Sequence, residues 1–199
     1  MHRSRSAALI VCFLLVRAPL GAHPHMWIDT KVTFRFAEEG LAGFTVEWTF
    51  DDLNSASLIE TYDGNRDGSL SPAEIEKTRT GGFEHLYDWN YFLRLEVDGK
   101  ERKPERGTEF TARIERGLLT YTFFMPMKVD VSSRASSIGV IVMDETFFVD
   151  FRIPEGGIAA DAPADLDARA SLGQVRQTAS AGWVVTLQQV QLRLQRNQA

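Results

Sequence analysis

From residue 26 to 36 (MWIDTKVTFRF) apolar and polar residues trade places in steps of two. Ile28, Val32, Phe34 and Phe36 lie near one face, with Asp29, Lys31 and Arg35 opposite or at its edge. A period of two marks a strand with one buried face. Residues 44–50 (FTVEWTF) repeat the pattern after Gly40 and Gly43, which read as a turn, so the two segments predict a hairpin. Strand signals return at 92–97, which runs into the turn dipeptide Asp98-Gly99, and then at 109–115, 118–125, 137–143 and 147–153. Gly117 turns the segment 109–115 into 118–125. Residues 156–170 (GGIAADAPADLDARA) are poor in bulky side chains and read as a long loop, while 183–194 fits either a strand or a short helix. No internal repeat is present. The pattern predicts a mainly β, α+β chain: an antiparallel, sandwich-like β domain over 23–199 with one helical insertion at about 51–91.

The insertion has its own logic. Asp51 or Asp52 can cap a helix running to Tyr62 with Leu53, Ala56, Ile59 and Tyr62 on its inner side. A second helix starts near Ser71-Pro72, Gly81-Gly82 interrupts it, and 83–91 reads as helix or loop. Between the helices, residues 63–74 run Asp-Gly-Asn-Arg-Asp-Gly-Ser-Leu-Ser-Pro-Ala-Glu. Oxygen-bearing side chains stand at the first, third and fifth places as Asp63, Asn65 and Asp67. Gly68 permits the sharp turn, Ser69 offers its carbonyl, Ser71 can hold a ligating water, and Glu74 can clamp with two oxygens. That is the pattern of a twelve-residue EF-hand loop for Ca2+, a hard cation that takes six to eight oxygens. Clustered carboxylates repel unless a cation neutralises them. A plain connector is the alternative, since Ser71 and Glu74 also form a helix capping box. With one such loop outside the cytoplasm, a structural ion held at about 10⁻⁴–10⁻³ M is the expectation rather than a sensor.

Composition bounds the setting. Hydrophobic residues make up 44% and charged residues 25% of 199, ordinary for a folded chain. The first 22 residues carry Arg3, Arg5 and Arg17, no acid, and a ten-residue apolar run at 7–16, which is too short to span a bilayer. With Gly21-Ala22 behind it, this reads as a cleavable signal peptide and predicts a periplasmic or secreted protein starting at His23. Removing it leaves 177 residues, enough for a real core, with 19 basic against 27 acidic side chains. That balance argues against nucleic acid and anionic lipid as partners and against membrane insertion after cleavage. Cys12 lies in the leader, so the mature chain has no disulfide, thiolate nucleophile or sulfur ligand.

The mature chain would begin His23-Pro24-His25-Met26-Trp27. An amine and two imidazoles form a nitrogen set suited to nickel, cobalt, copper or zinc. Pro24 has no amide proton to lose, which blocks the square-planar mode built on a third-position histidine. Either His23 chelates through its amine and ring with another histidine closing the site, or both rings join His85 or a carboxylate. A frayed terminus is the alternative. Asp144, Glu145 and Asp150 are further oxygen donors that also suit turns and strand edges, and Trp27, Trp48, Trp89 and Trp183 read as core or core-edge residues. No nucleophile elbow or phosphate-binding glycine loop occurs.

Ala22-His-Pro-His-Met-Trp-Ile-Asp29 after a signal peptide, the single EF-hand-like loop, and Asp144-Glu-Thr-Phe-Phe-Val-Asp-Phe151 together resemble the DUF1007 family. The resemblance covers essentially the whole mature chain. It implies an exported component of a transport system, often encoded beside nickel/cobalt transporters, with no catalytic residue to carry over. The resulting expectation is a non-enzymatic periplasmic accessory of a membrane metal transporter. Asp63, Asn65, Asp67, Ser69 and Glu74 would bind Ca2+, and His23 and His25, with His85 as a third candidate, a transition metal. A copper-dependent oxidase or monooxygenase using the terminal histidine, and a calcium-stabilised adaptor without a transition metal, are the alternatives.

Overall fold

The computed structural model describes residues 25–131, 134–178, 182 and 184–197. The predicted leader, Cys12, His23, Pro24 and Trp183 lie outside them. Among the described residues eleven strands form two sheets that share one core. The first sheet runs β5–β6–β2–β1–β8, with β9 also on β1. Its strands are β1 (Met26–Ala37), β2 (Gly40–Phe50), β5 (Thr108–Glu115), β6 (Leu118–Asp130), β8 (Val149–Arg152) and β9 (Ile158–Ala160). The second runs β10–β11–β7–β3–β4, made of β3 (Leu93–Val97), β4 (Lys100–Arg102), β7 (Ser136–Val142), β10 (Leu166–Thr178) and β11 (Val184–Arg196). All pairings are antiparallel except those of β8 and β9 with β1. The mainly β, α+β expectation holds, with the helical segments lying between β2 and β3.

Alternation sorts β1 as its sequence says. Ile28, Thr30, Val32 and Phe34 face the core and the intervening residues face out. On β2 the buried Trp48 packs edge-on to Phe123 at 4.9 Å and near Phe151 at 5.3 Å, tying three strands together. Its cross-strand neighbour is Thr30, and Trp48 Nε1 and Thr30 Oγ1 are both buried without a hydrogen-bond partner.

Several local expectations change. Gly40 and Gly43 are not the turn; both lie inside β2, and Glu38-Glu39 make the reversal. At Gly43 (φ +154°) a Cβ would sit 2.2 Å from the Met125 carbonyl, so glycine is what lets β2 and β6 close at their bulge. The long loop predicted over 156–170 holds β9 and the start of β10. Those strands were hidden because β10 turns small Ala168 and Ala170 toward the core and Arg and Gln residues toward solvent. Residues 184–196 resolve as strand, since β11 is held between β10 and β7. Trp27 and Trp89 are 40% and 64% exposed, not core.

Candidate functional site

Of the candidate ligands, the set in residues 63–74 and His25 lie at opposite ends of one helix. α1 (Asp52–Tyr62) begins at Asp51, whose carboxylate accepts the Asn54 N–H at 2.9 Å, the N-cap bond expected of an aspartate there. The inner face of α1 is half the predicted one: Tyr62 is buried and Ile59 packs against the core, but Leu53 is 77% exposed and Ala56 is exposed. Ser55 takes the fully buried place: its hydroxyl donates to the Phe50 carbonyl and accepts the Leu119 N–H, both at 3.0 Å. A polar side chain is thus tolerated inside because both of its bonds are made.

At its C-terminal end α1 delivers the loop of residues 63–74. Asp63 is buried, and its two oxygens accept the N–H groups of Asp67 (3.3 Å) and Gly68 (3.0 Å). Asn65 Oδ1 accepts Asp67 N–H at 3.1 Å, and Asp67 accepts from the Ser69 N–H and hydroxyl. Gly68 has φ +80°, the conformation that the sharp turn requires. α2 (Pro72–Gly81) then starts from Ser71 through a reciprocal capping box with Glu74. Glu74 reaches back across the loop as well, its Oε1 accepting the Gly64 N–H at 2.8 Å. Bonds from the Ser69 hydroxyl and N–H hold the Asp67 carboxyl below its ordinary value, and those from Ser71 and Gly64 do the same for Glu74. Both are therefore ionised, charged oxygen donors at neutral pH. An all-oxygen set between two formed helices fits a calcium-sized ion better than a transition metal.

At the other end of α1 sits the start of β1. Trp27 N–H donates to Asp51 Oδ2 at 2.8 Å, Asp51 N–H donates to the Trp27 carbonyl at 3.0 Å, and Asn54 Nδ2 donates to the His25 carbonyl at 3.2 Å. From the other flank the Phe148 carbonyl accepts N–H groups from His25 (2.9 Å) and Met26 (3.2 Å), and the rings of His25 and Phe148 lie 5.1 Å apart. Phe148 is itself placed by Asp144, whose buried carboxylate gathers the N–H groups of Thr146, Phe148 and Val149. The backbone of residues 25–27 is therefore clamped on both sides while the His25 side chain stays exposed.

Partial burial pushes the Asp51 carboxyl up, but the N–H groups of Asn54, Trp27 and Leu53 and the Asn54 amide outweigh it and hold the group low. His85 lies elsewhere, exposed on the 3₁₀ segment Phe83–Phe92 that packs on α2, with its N–H on the Gly82 carbonyl. Among the described residues no group of three or more His, Cys, Asp or Glu side chains is gathered as a metal cluster. The clamp itself was not readable from sequence, because Asp51 and Asp144 signalled only caps and turns.

With this geometry in view, the chain can be set beside known proteins. A family model described as "Protein of unknown function (DUF1007)" matches residues 8–180, a span holding the clamped corner, the loop and the 144–151 stretch. The chain belongs to this family. It is 27% identical over 103 residues to a Spirochaeta aurantia protein described as an uncharacterized 15.5 kDa protein in the trpE 3′ region, covering 52% of this chain and 73% of that one. It is 25% identical over 130 residues to an uncharacterized protein of Haemophilus influenzae, covering 64% of this chain. That second match takes in 61% of the relative's own length.

Proposed function

We propose that the chain is a non-enzymatic, periplasmic metal-binding accessory of a membrane transporter for nickel, cobalt, zinc or a similar ion. The observation that carries the reading is the clamp: the residue 25–27 backbone is held from both sides while the His25 imidazole remains free. A fixed backbone lowers the ordering cost of closing a metal site, so a terminus so held can outbind a free peptide of the same sequence. His23, through its amine and ring, joins His25 in this reading, and His85 stays outside it. Asp63, Asn65, Asp67, the Ser69 carbonyl and Glu74 would hold Ca2+, which when bound supplies charge neutralisation that keeps the helical insertion ordered. The basic start and short apolar run of residues 1–22, read as a cleavable leader, support a place outside the cytoplasm.

The test is calorimetric titration of Ni2+, Co2+, Cu2+ and Zn2+ into the exported protein, its first residue verified by mass. One ion should bind more tightly than to the same protein with one residue added before His23. Binding should weaken as pH falls through about 6.5, where a free imidazole takes up its proton. Affinity no greater than that of a peptide with the same first residues would overturn the reading.

A further inference from the structure

Three exposed apolar side chains gather where β1 starts: Trp27 at 40%, Phe148 at 51% and Leu53 at 77% exposure. Register explains the grouping. Trp27 pairs with Asp150 and Asp29 with Arg152, so the odd-numbered residues of β1 share the outer face of the sheet with Asp150 and Arg152 of β8. Phe148 stands one step before β8, beside His25. Leu53 lies on the first turn of α1, next to Asn54, which bonds the His25 carbonyl. Between β1 and α1 a hollow of about 210 Å³ opens, lined by Trp27, Asp29, Asp51, Asp52 and Arg152 among others. Among the described residues the lining is mostly acidic: Asp29, Asp51 and Asp52 stand with one cation, Arg152, which is ion-paired to Asp29 at 2.9 Å, and Asp150 pairs with Trp27 on the same outer face.

We infer that this corner docks a basic, apolar segment of a partner protein, which seats a Lys or Arg side chain in the hollow beside Trp27. An indole beside the exposed carboxylates of Asp52 and Asp150 suits a cationic head on an apolar stem, which ring and charge both attract. Contiguous exposed apolar surface with a polar rim marks interaction sites. The same acids repel an anionic membrane. A second copy of the chain fits no better, since a two-fold contact would set this acidic rim against itself. The inference deepens the accessory role and rests on it for the partner's identity as a transporter: the face that docks is also the face that presents His25, so an ion would cross without a change of fold.

The experiment uses metal-free protein and a synthetic Lys/Leu amphipathic peptide, with a Glu/Leu peptide of the same pattern as control. The Lys/Leu peptide should bind, weaken with added salt, and lose about tenfold in affinity in Leu53→Ser and again in Asp52→Asn/Asp150→Asn. These substitutions fall on exposed positions, and a melting curve checks each variant. Equal binding of both peptides, unchanged affinity in both variants, capture by anionic vesicles instead of peptide, or self-association lost in Leu53→Ser would each overturn the inference. Peptide binding without any transition-metal binding would overturn the accessory reading and leave the surface standing; metal binding without peptide binding would do the reverse.

Discussion

Replacing Asp51 tests how the two ends of α1 are joined. Its carboxylate caps the helix through Asn54 N–H, receives the Asn54 amide, and holds the Trp27 N–H at 2.8 Å. Loss of an N-cap costs about 1 kcal/mol. Loss of a hydrogen bond to a charged acceptor costs about 1.5–3 kcal/mol when the donor stays dry, and less where water replaces it, as at this partly exposed corner. Asp51→Ala should therefore lower unfolding stability by roughly 2–3 kcal/mol, close to 4–10 °C in melting temperature for a chain of this size. Asp51→Ser is the informative companion, because one hydroxyl can cap the helix but cannot also reach Trp27. It should recover only the cap share, about 1 kcal/mol. Urea unfolding monitored by tryptophan fluorescence reads the stability, and hydrogen exchange at the Trp27 amide reads the clamp. If Asp51→Ala costs under about 0.5 kcal/mol, or if Ser restores Trp27 protection in full, the joint described here does not exist.

Thr30→Val should stabilise the protein by about 1 kcal/mol, since the hydroxyl it removes is buried and unbonded; a lower melting temperature would show that the hydroxyl has a partner. Calcium should raise the melting temperature, by about 2.7 kcal/mol of stability at a hundredfold excess over Kd, and Glu74→Ala should remove most of that rise. A melting temperature indifferent to calcium and to chelator would reject the loop as a cation site. In acid, Asp51 has a depressed folded pKa, so its contribution is complete above the unfolded value of about 3.9 and is lost as pH falls through the lower folded one. The stability gap between wild type and Asp51→Asn should therefore narrow below about pH 4, and a gap constant with pH would contradict the assignment.

Strands with large inward residues were legible in the sequence, because Phe, Val and Ile at every second place leave little choice of face. β10 was not, since after the buried Leu166 its core-facing places are the partly buried Ala168 and Ala170, and its partner β11 supplies the bulk. On α1 the inward places of Ile59 and Tyr62 are legible, while the first turn is not, for a related reason. Hydrophobicity ranks Leu53 above Ser55, but the Phe50 carbonyl and Leu119 N–H needed a hydroxyl between them. Around the candidate site, the parts encoded within a few residues could be read directly, such as the Ser71–Glu74 capping box and the Gly68 turn. The clamp on residues 25–27 could not, because its donors and acceptors come from residues 51, 54 and 148 and meet only once β1, α1 and β8 are assembled.

β1 has β2 on one edge and β8 and β9 on the other. The first neighbour follows at once, but the second arrives with Val149–Arg152 and Ile158–Ala160, more than a hundred residues later. At a synthesis rate of about 5–20 residues per second, that edge of β1 stays bare for roughly 5–22 s after its hairpin can close. Through that interval a twelve-residue strand bearing Ile28, Val32 and Phe34 offers unpaired N–H and C=O groups to any other nascent chain. Met26–Ala37 is thus the segment for which a holding chaperone would compete with aggregation, and refolding yield should fall with protein concentration until β8 and β9 have docked.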